Sequence, residues 1–191
     1  MLGEILDQVH ALVSDERGGE VASYIPALAR AAPEDFGLAI VTTGGDVYTS
    51  GESETEFTIQ SVSKPFTLAL ALHRCGLDGT YQRVGTEPSG DAYNSVVIDP
   101  QTNFPFNPII NSGAITMTGL LRDTHGADTF AEIRRGYSRF AGAELGFDEE
   151  VYESELGTAH RNRAIAHLMR SSGVVSDPVD ETVDVYRGGR G

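Results

Sequence analysis

Residues 57–72 read FTIQSVSKPFTLALAL, and this stretch contains Lys64, the only lysine of the chain. The other thirteen of the fourteen Lys and Arg residues are arginines. Ser61 precedes Lys64 by three positions, which on a helix places both side chains on one face. Pro65 is typical of a first helical turn, where backbone N–H groups have no intrahelical partner. We therefore predict that Ser61 lies at a helix N-terminus, where the helix dipole favours a developing negative charge.

The spacing of Ser61 and Lys64 is compatible with nucleophilic catalysis. A serine hydroxyl needs a base to remove its proton, and a lysine is a base only when it is neutral. Burial lowers the pKa of lysine readily, whereas arginine keeps its charge. An arginine could therefore replace Lys64 as a surface charge but not as a base. Spacing alone leaves a solvated surface lysine open, because Ser-x-x-Lys also occurs by chance.

The composition excludes several classes of partner and site. The length of 191 residues predicts one domain. The formal charge of −14 disfavours nucleic acid and anionic membranes as partners. Cys75 is the only cysteine, so no internal disulfide forms and a cytoplasmic location is expected. The first residues do not resemble a signal peptide. His160 and His167 lack further ligands at metal-binding spacing, so we predict neither a metal nor another cofactor.

The pattern of apolar and turn-forming residues predicts more helices than strands. We expect an N-terminal amphipathic helix, a hairpin around residues 44–46 and a buried helix that stops at Gly76. Residues 77–111 are rich in Gly, Pro, Asn and Asp and predict loops. Other expected elements are a helical stretch over 21–33 that is interrupted at Pro26, a short extended segment over 57–59, and helices over 115–121, 129–142, 161–173 and from 177 onward. Together they predict an α+β fold, rich in helices, with an incomplete antiparallel sheet.

Five longer motifs identify a more specific resemblance. They are EVASYIPALA (20–29), IQSVSKPF (59–66), VGTEPSG (84–90), FNPIINSGAI (106–115) and SELGTAHRN (154–162). In this order and with these gaps they resemble the serine-dependent glutaminases, which share the fold of β-lactamases and penicillin-binding proteins. The resemblance covers residues 19–186 of a single domain. The S-D-N and K-T-G elements of the β-lactamase group are absent, which counts against a β-lactamase-like hydrolase with another substrate.

The resemblance implies hydrolysis of L-glutamine to L-glutamate and ammonia through an acyl-enzyme. It implies Ser61 as the nucleophile and Lys64 as its proton acceptor. It further implies that the substrate is bound by Ser61 itself and by the polar side chains of Tyr24, Asn111, Glu155, Asn162 and Tyr186. The residues alone favour a structural role for all five: Asn111 as a helix N-cap, Glu155 as a solvated carboxylate, Asn162 as a surface residue, and Tyr24 and Tyr186 as packing residues. The resemblance also implies a homo-oligomer.

The end of the chain departs from the family pattern. Residues 187–191 read RGGRG and do not resemble the family, whose members continue well beyond the position of Tyr186. The ending therefore suggests a truncated chain that lacks further strands and a second oxyanion-hole donor. Two hypotheses follow: an active glutaminase, or a non-catalytic remnant of one.

Overall fold

The computed structural model describes residues 1–190 as a helix-rich α+β chain with one small sheet, as the sequence predicts. Its elements within these residues are α1 (Leu2–Val13), a 3₁₀ helix (Pro26–Arg30), β1 (Gly37–Val41), β2 (Val47–Gly51), a 3₁₀ turn (Gln60–Val62), α2 (Ser63–Tyr81), α3 (Asn111–His125), a 3₁₀ turn (Gly126–Asp128), α4 (Thr129–Ala141), α5 (Glu149–Leu156), α6 (His160–Ser171) and α7 (Val179–Gly188). Contacts divide the chain into two compact units, Met1–Phe57 and Thr58–Gly191. The single domain expected from the sequence stays a prediction.

The first unit contains α1, the 3₁₀ helix Pro26–Arg30 and the predicted hairpin. β1 and β2 pair antiparallel in the register Gly37↔Gly51 to Val41↔Val47. Helix α1 packs against both strands of this hairpin. One contact between them is a hydrogen bond of 2.6 Å that the Ser50 hydroxyl donates to the Asp7 carboxylate. Several apolar side chains on both elements remain exposed, whereas Leu6 and Ile25 are buried.

The second unit is built around α3. Every residue from Asn111 to Leu121 is buried, which is typical of a helix surrounded by neighbours. Helices α2, α4, α6 and α7 all pack against it. Gly113 permits the closest approach: a Cβ on this residue would lie 1.9 Å from the Asn107 carbonyl oxygen. The start of α3 is thereby fixed against the preceding loop.

Several predicted elements differ from the structure. The helical stretch over 21–33 is reduced to the 3₁₀ helix Pro26–Arg30, since Ile25 keeps an extended backbone before the proline. Residues 57–59 form no strand. Gly76 adopts a left-handed φ of 72° and breaks α2 as predicted, but the helix resumes and ends at Tyr81. Helix α5 was not predicted.

None of the helices described in residues 1–190 combines the length and the apolar character that a membrane span requires.

Candidate active site

Ser61 lies in the 3₁₀ turn Gln60–Val62, immediately before α2. Its side chain is exposed, and its hydroxyl forms no hydrogen bond with another residue of the range 1–190. The preceding residue, Gln60, has a φ of 46°, which is uncommon for a residue with a side chain. The turn therefore presents the Ser61 hydroxyl at a helix N-terminus, as the sequence predicts, on a backbone held in an unfavourable conformation.

Lys64 is the second residue of α2, and its side chain is only 2% exposed. Its ammonium donates to Asn111 Oδ1 at 2.8 Å and lies 5.3 Å from the centroid of the Tyr93 ring. Neither partner carries a negative charge. Burial, followed by the positive charge of Arg190, lowers the pKa of Lys64 to about 8. A substantial fraction of this amine is therefore neutral in mildly alkaline solution.

Asn111 connects four of the predicted site residues. It begins α3, and its Oδ1 accepts from Lys64. Its Nδ2 donates to Asn162 Oδ1 at 3.2 Å, near the start of α6. The Tyr186 hydroxyl of α7 donates to Asn111 Oδ1 at 3.5 Å, the longest of these contacts. Residues from α2, α3, α6 and α7 thus meet in one hydrogen-bonded network.

Glu155 lies in a second cluster, at the end of α5. Its carboxylate is 4% exposed, so the alternative of a solvated carboxylate is wrong. Glu155 Oε1 lies 2.6 Å from Nη1 of Arg190 and 3.5 Å from Nε of Arg187. Two buried cations therefore compensate one buried anion, which is the condition under which a carboxylate tolerates loss of water.

Tyr24 is the one predicted site residue in the first unit. It precedes the 3₁₀ helix Pro26–Arg30, and its side chain is 59% exposed. Its role in ligand binding stays a prediction.

Sequence reasoning missed four residues of this region. The backbone carbonyl oxygen of Tyr93 accepts from the Asn111 N–H at 2.9 Å, and the Tyr93 ring contacts Lys64. The sequence around Tyr93 predicts only a loop. Gln60 is adjacent to Ser61 and carried no signal of its own. Arg187 and Arg190 were assigned to a divergent tail. Their charge was a usable signal, because a buried Glu155 requires cationic partners.

The arrangement supports nucleophilic acyl transfer. An exposed serine precedes a helix, and a buried amine with a depressed pKa follows it in the next turn. The amides of Asn111 and Asn162 offer both donors and acceptors to a polar ligand. No group of three or more His, Cys, Asp and Glu side chains in residues 1–190 is arranged to hold a metal ion.

Comparisons with known proteins agree on one family. The family model described as "Glutaminase" matches residues 19–188. "Glutaminase 1" of Bradyrhizobium diazoefficiens is 49% identical over 173 residues, which are 91% of this chain and 28% of that protein. The glutaminase of Microcystis aeruginosa is 40% identical over 181 residues, covering 95% of this chain and 54% of that protein.

A solved structure gives the same result for the fold. The crystal structure of Mglu in its tris and glutamate form has a TM-score of 0.93 and 36% sequence identity. The match covers 99% of this chain and 42% of that one. The chain therefore spans between about a quarter and just over half of the length of these relatives.

Proposed function

Because the chain belongs to the glutaminase family, we propose that it hydrolyses L-glutamine to L-glutamate and ammonia through a Ser61–Lys64 acyl-enzyme mechanism. The observation that carries this proposal is the environment of Lys64. A buried amine beside neutral partners, with a pKa of about 8, has the properties of a base close to an exposed serine. The glutamate in the Mglu structure supports a ligand of this size and chemistry.

In the acylation step, the Ser61 hydroxyl attacks the side-chain amide carbon of glutamine. Neutral Lys64 accepts the hydroxyl proton, and a tetrahedral intermediate forms. The intermediate collapses when the carbon–nitrogen bond breaks, and the proton held by Lys64 passes to the departing nitrogen. Ammonia leaves, and Ser61 carries a glutamyl ester. N–H groups at the start of α2 stabilise the negative oxygen of the intermediate.

Deacylation repeats the same proton transfers with water. Lys64, neutral again, takes a proton from water as the water attacks the ester carbon. The bond to Ser61 breaks, the proton returns to its oxygen, and L-glutamate is released. Ser61 and Lys64 are the only protein groups that this scheme requires to form or break bonds.

The remaining predicted residues bind substrate. Asn111, Asn162, Tyr186 and Tyr24 supply hydrogen bonds to the amide and to the α-carboxylate. Glu155 is the only carboxylate among the predicted site residues and is therefore the candidate for the α-ammonium.

The proposal is tested by ammonia release from L-glutamine with the full 191-residue chain. Ser61→Ala removes the nucleophile, and we expect release to fall to the rate without protein. Ser171→Ala is the matched control, because this serine is exposed at the end of α6 and its hydroxyl bonds only the Leu168 carbonyl. No release from a folded native chain contradicts the active enzyme and favours the non-catalytic alternative.

Two further parts of the proposal concern the setting of the reaction. We infer a cytoplasmic protein from the single cysteine, and a homo-oligomer from the family resemblance. Sedimentation of the purified chain tests the second part, and a monomer at micromolar concentration would contradict it.

A further inference from the structure

Arg190 makes an unusually complete set of contacts for a residue outside the matched family region, which ends at 188. Its side chain is 5% exposed. Nη1 donates to Glu155 Oε1 at 2.6 Å, and Nη2 donates to Gln60 Oε1 at 2.7 Å. The guanidinium also lies 5.4 Å from the centroid of the Tyr186 ring. Three different elements therefore hold one guanidinium in place.

The backbone of Arg190 is attached to the same region. Its carbonyl oxygen accepts from the Gln60 N–H at 3.1 Å. Gln60 is the residue before Ser61 and the one with the left-handed φ. Arg190 thus connects the turn that carries the serine to the carboxylate of Glu155. Its charge also acts on Lys64, whose pKa it helps to lower.

This placement conflicts with a simple role for Glu155. An α-ammonium and a guanidinium cannot both occupy the short hydrogen bond to Glu155 Oε1. We propose that Arg190 sets the ligand specificity of the site by occupying Glu155 Oε1, so that this oxygen does not accept a hydrogen bond from the α-ammonium of an amino acid. The inference rests on the proposed function, since it concerns the same ligand site.

The local charge indicates which ligand class such a site accepts. Arg187, which is 0% exposed, shares the Glu155 carboxylate with Arg190, because its Nε lies 3.5 Å from Glu155 Oε1. None of the three guanidinium nitrogens of Arg187 forms a hydrogen bond within residues 1–190. The excess positive charge attracts carboxylates and gives an α-ammonium no compensating partner. The site of this chain therefore discriminates little between a ligand that has an α-ammonium and the same ligand without one.

A positioning role for Arg190 makes the opposite prediction. Glu155 Oε2 accepts no hydrogen bond within residues 1–190, so a fixed Oε1 could orient Oε2 towards the ammonium. In that case the native site prefers an amino acid, and removal of Arg190 weakens the preference.

The deciding measurement compares L-glutamate with glutarate, which has both carboxylates but no α-ammonium. Calorimetric dissociation constants are measured for the native chain, Arg190→Gln and Arg190→Lys. We expect the two ligands to bind the native chain within about threefold of each other. Arg190→Gln frees Glu155, and we expect it to prefer glutamate by about tenfold or more. Arg190→Lys keeps the positive charge and should retain the native ratio of the two dissociation constants. Retention of this ratio shows that a substitution at position 190 does not by itself disrupt the site.

The other outcomes overturn the inference in distinguishable ways. A native preference for glutamate of about tenfold that disappears in Arg190→Gln assigns Arg190 a positioning role instead. Binding with the same ratio in all three proteins overturns the inference and leaves the proposed function intact. Failure of both ligands to bind any of them overturns the proposed function as well.

A second measurement tests the placement of Arg190 without a ligand. Because Lys64 is the only lysine, a chain labelled with ¹³C-lysine gives a single Cε resonance. We expect its apparent pKa to rise in Arg190→Gln and to stay unchanged in Arg139→Gln, an exposed arginine on α4. An unchanged pKa in Arg190→Gln would place Arg190 away from the site and overturn the inference.

Discussion

Two of the buried cationic positions of the site, at Lys64 and at Arg190, differ in what compensates them. Lys64 donates to the neutral amide oxygen of Asn111, whereas Arg190 donates to the carboxylate of Glu155. Both side chains are almost fully buried. Burial next to a neutral partner favours loss of the proton, and burial next to an anion favours the charge. The partner therefore decides whether a buried cation is a base or a structural charge.

The residue types match this difference. Lysine releases its proton when it is desolvated, so the single lysine stands where a titratable group is needed. Arginine keeps its charge, so it stands opposite Glu155 and gives that carboxylate two cationic neighbours. Exchanging a cation or removing an anion at either position tests the comparison.

The largest expected effect is that of Lys64→Arg on the rate. Arginine preserves the charge but cannot act as a base, so we expect the rate of ammonia release to fall by roughly 10²–10⁴. The rate is measured at saturating L-glutamine with Ser61→Ala as the baseline. Arg139→Lys also exchanges one cationic side chain for another, but at an exposed position on α4, and should leave the rate unaltered. If Lys64→Arg retains most of the rate, Lys64 acts only as a charge.

The next effect is that of Glu155→Gln on stability. The change removes the carboxylate that both Arg187 and Arg190 contact, so we expect a loss of about 3–5 kcal/mol in the free energy of unfolding. The measurement is urea denaturation of the native chain and the variant at pH 7. Glu153→Gln is the matched control, because Glu153 is exposed on the same helix and should change the free energy by less than about 0.5 kcal/mol. Equal, small effects at both positions would mean that water compensates the two arginines.

Sequence signals predicted the elements that depend on local chemistry. The hairpin follows from its glycine-rich turn, and α4 ends where Gly142 takes a left-handed φ of 70°. Helix α6 ends before Gly173 for the same reason. Gly76 was identified correctly as a break, but nothing local showed that a helix would resume after it.

What the sequence could not predict depends on contacts between distant residues. Glu155 is buried because arginines more than thirty positions later in the chain compensate it, and an acidic stretch gives no sign of that pairing. Lys64 reaches its low pKa through burial by the surrounding fold and through the positive charge of Arg190, which lies far along the chain. The serine–lysine spacing predicted the reacting groups, but the environment that tunes them is a property of the fold.

The smallest effect, and the most direct measure of the comparison, is the pH dependence of the rate. Only neutral Lys64 accepts the serine proton, and its pKa is lowered to about 8. The rate at subsaturating L-glutamine should therefore rise about tenfold per pH unit well below 8 and reach a plateau above it. The inflection should move to higher pH in Arg190→Gln, because the variant lacks the positive charge that helps to lower the pKa of Lys64. An inflection near the ordinary lysine value of 10.5, in the native chain, would mean that Lys64 is solvated during turnover and that the two cations do not differ.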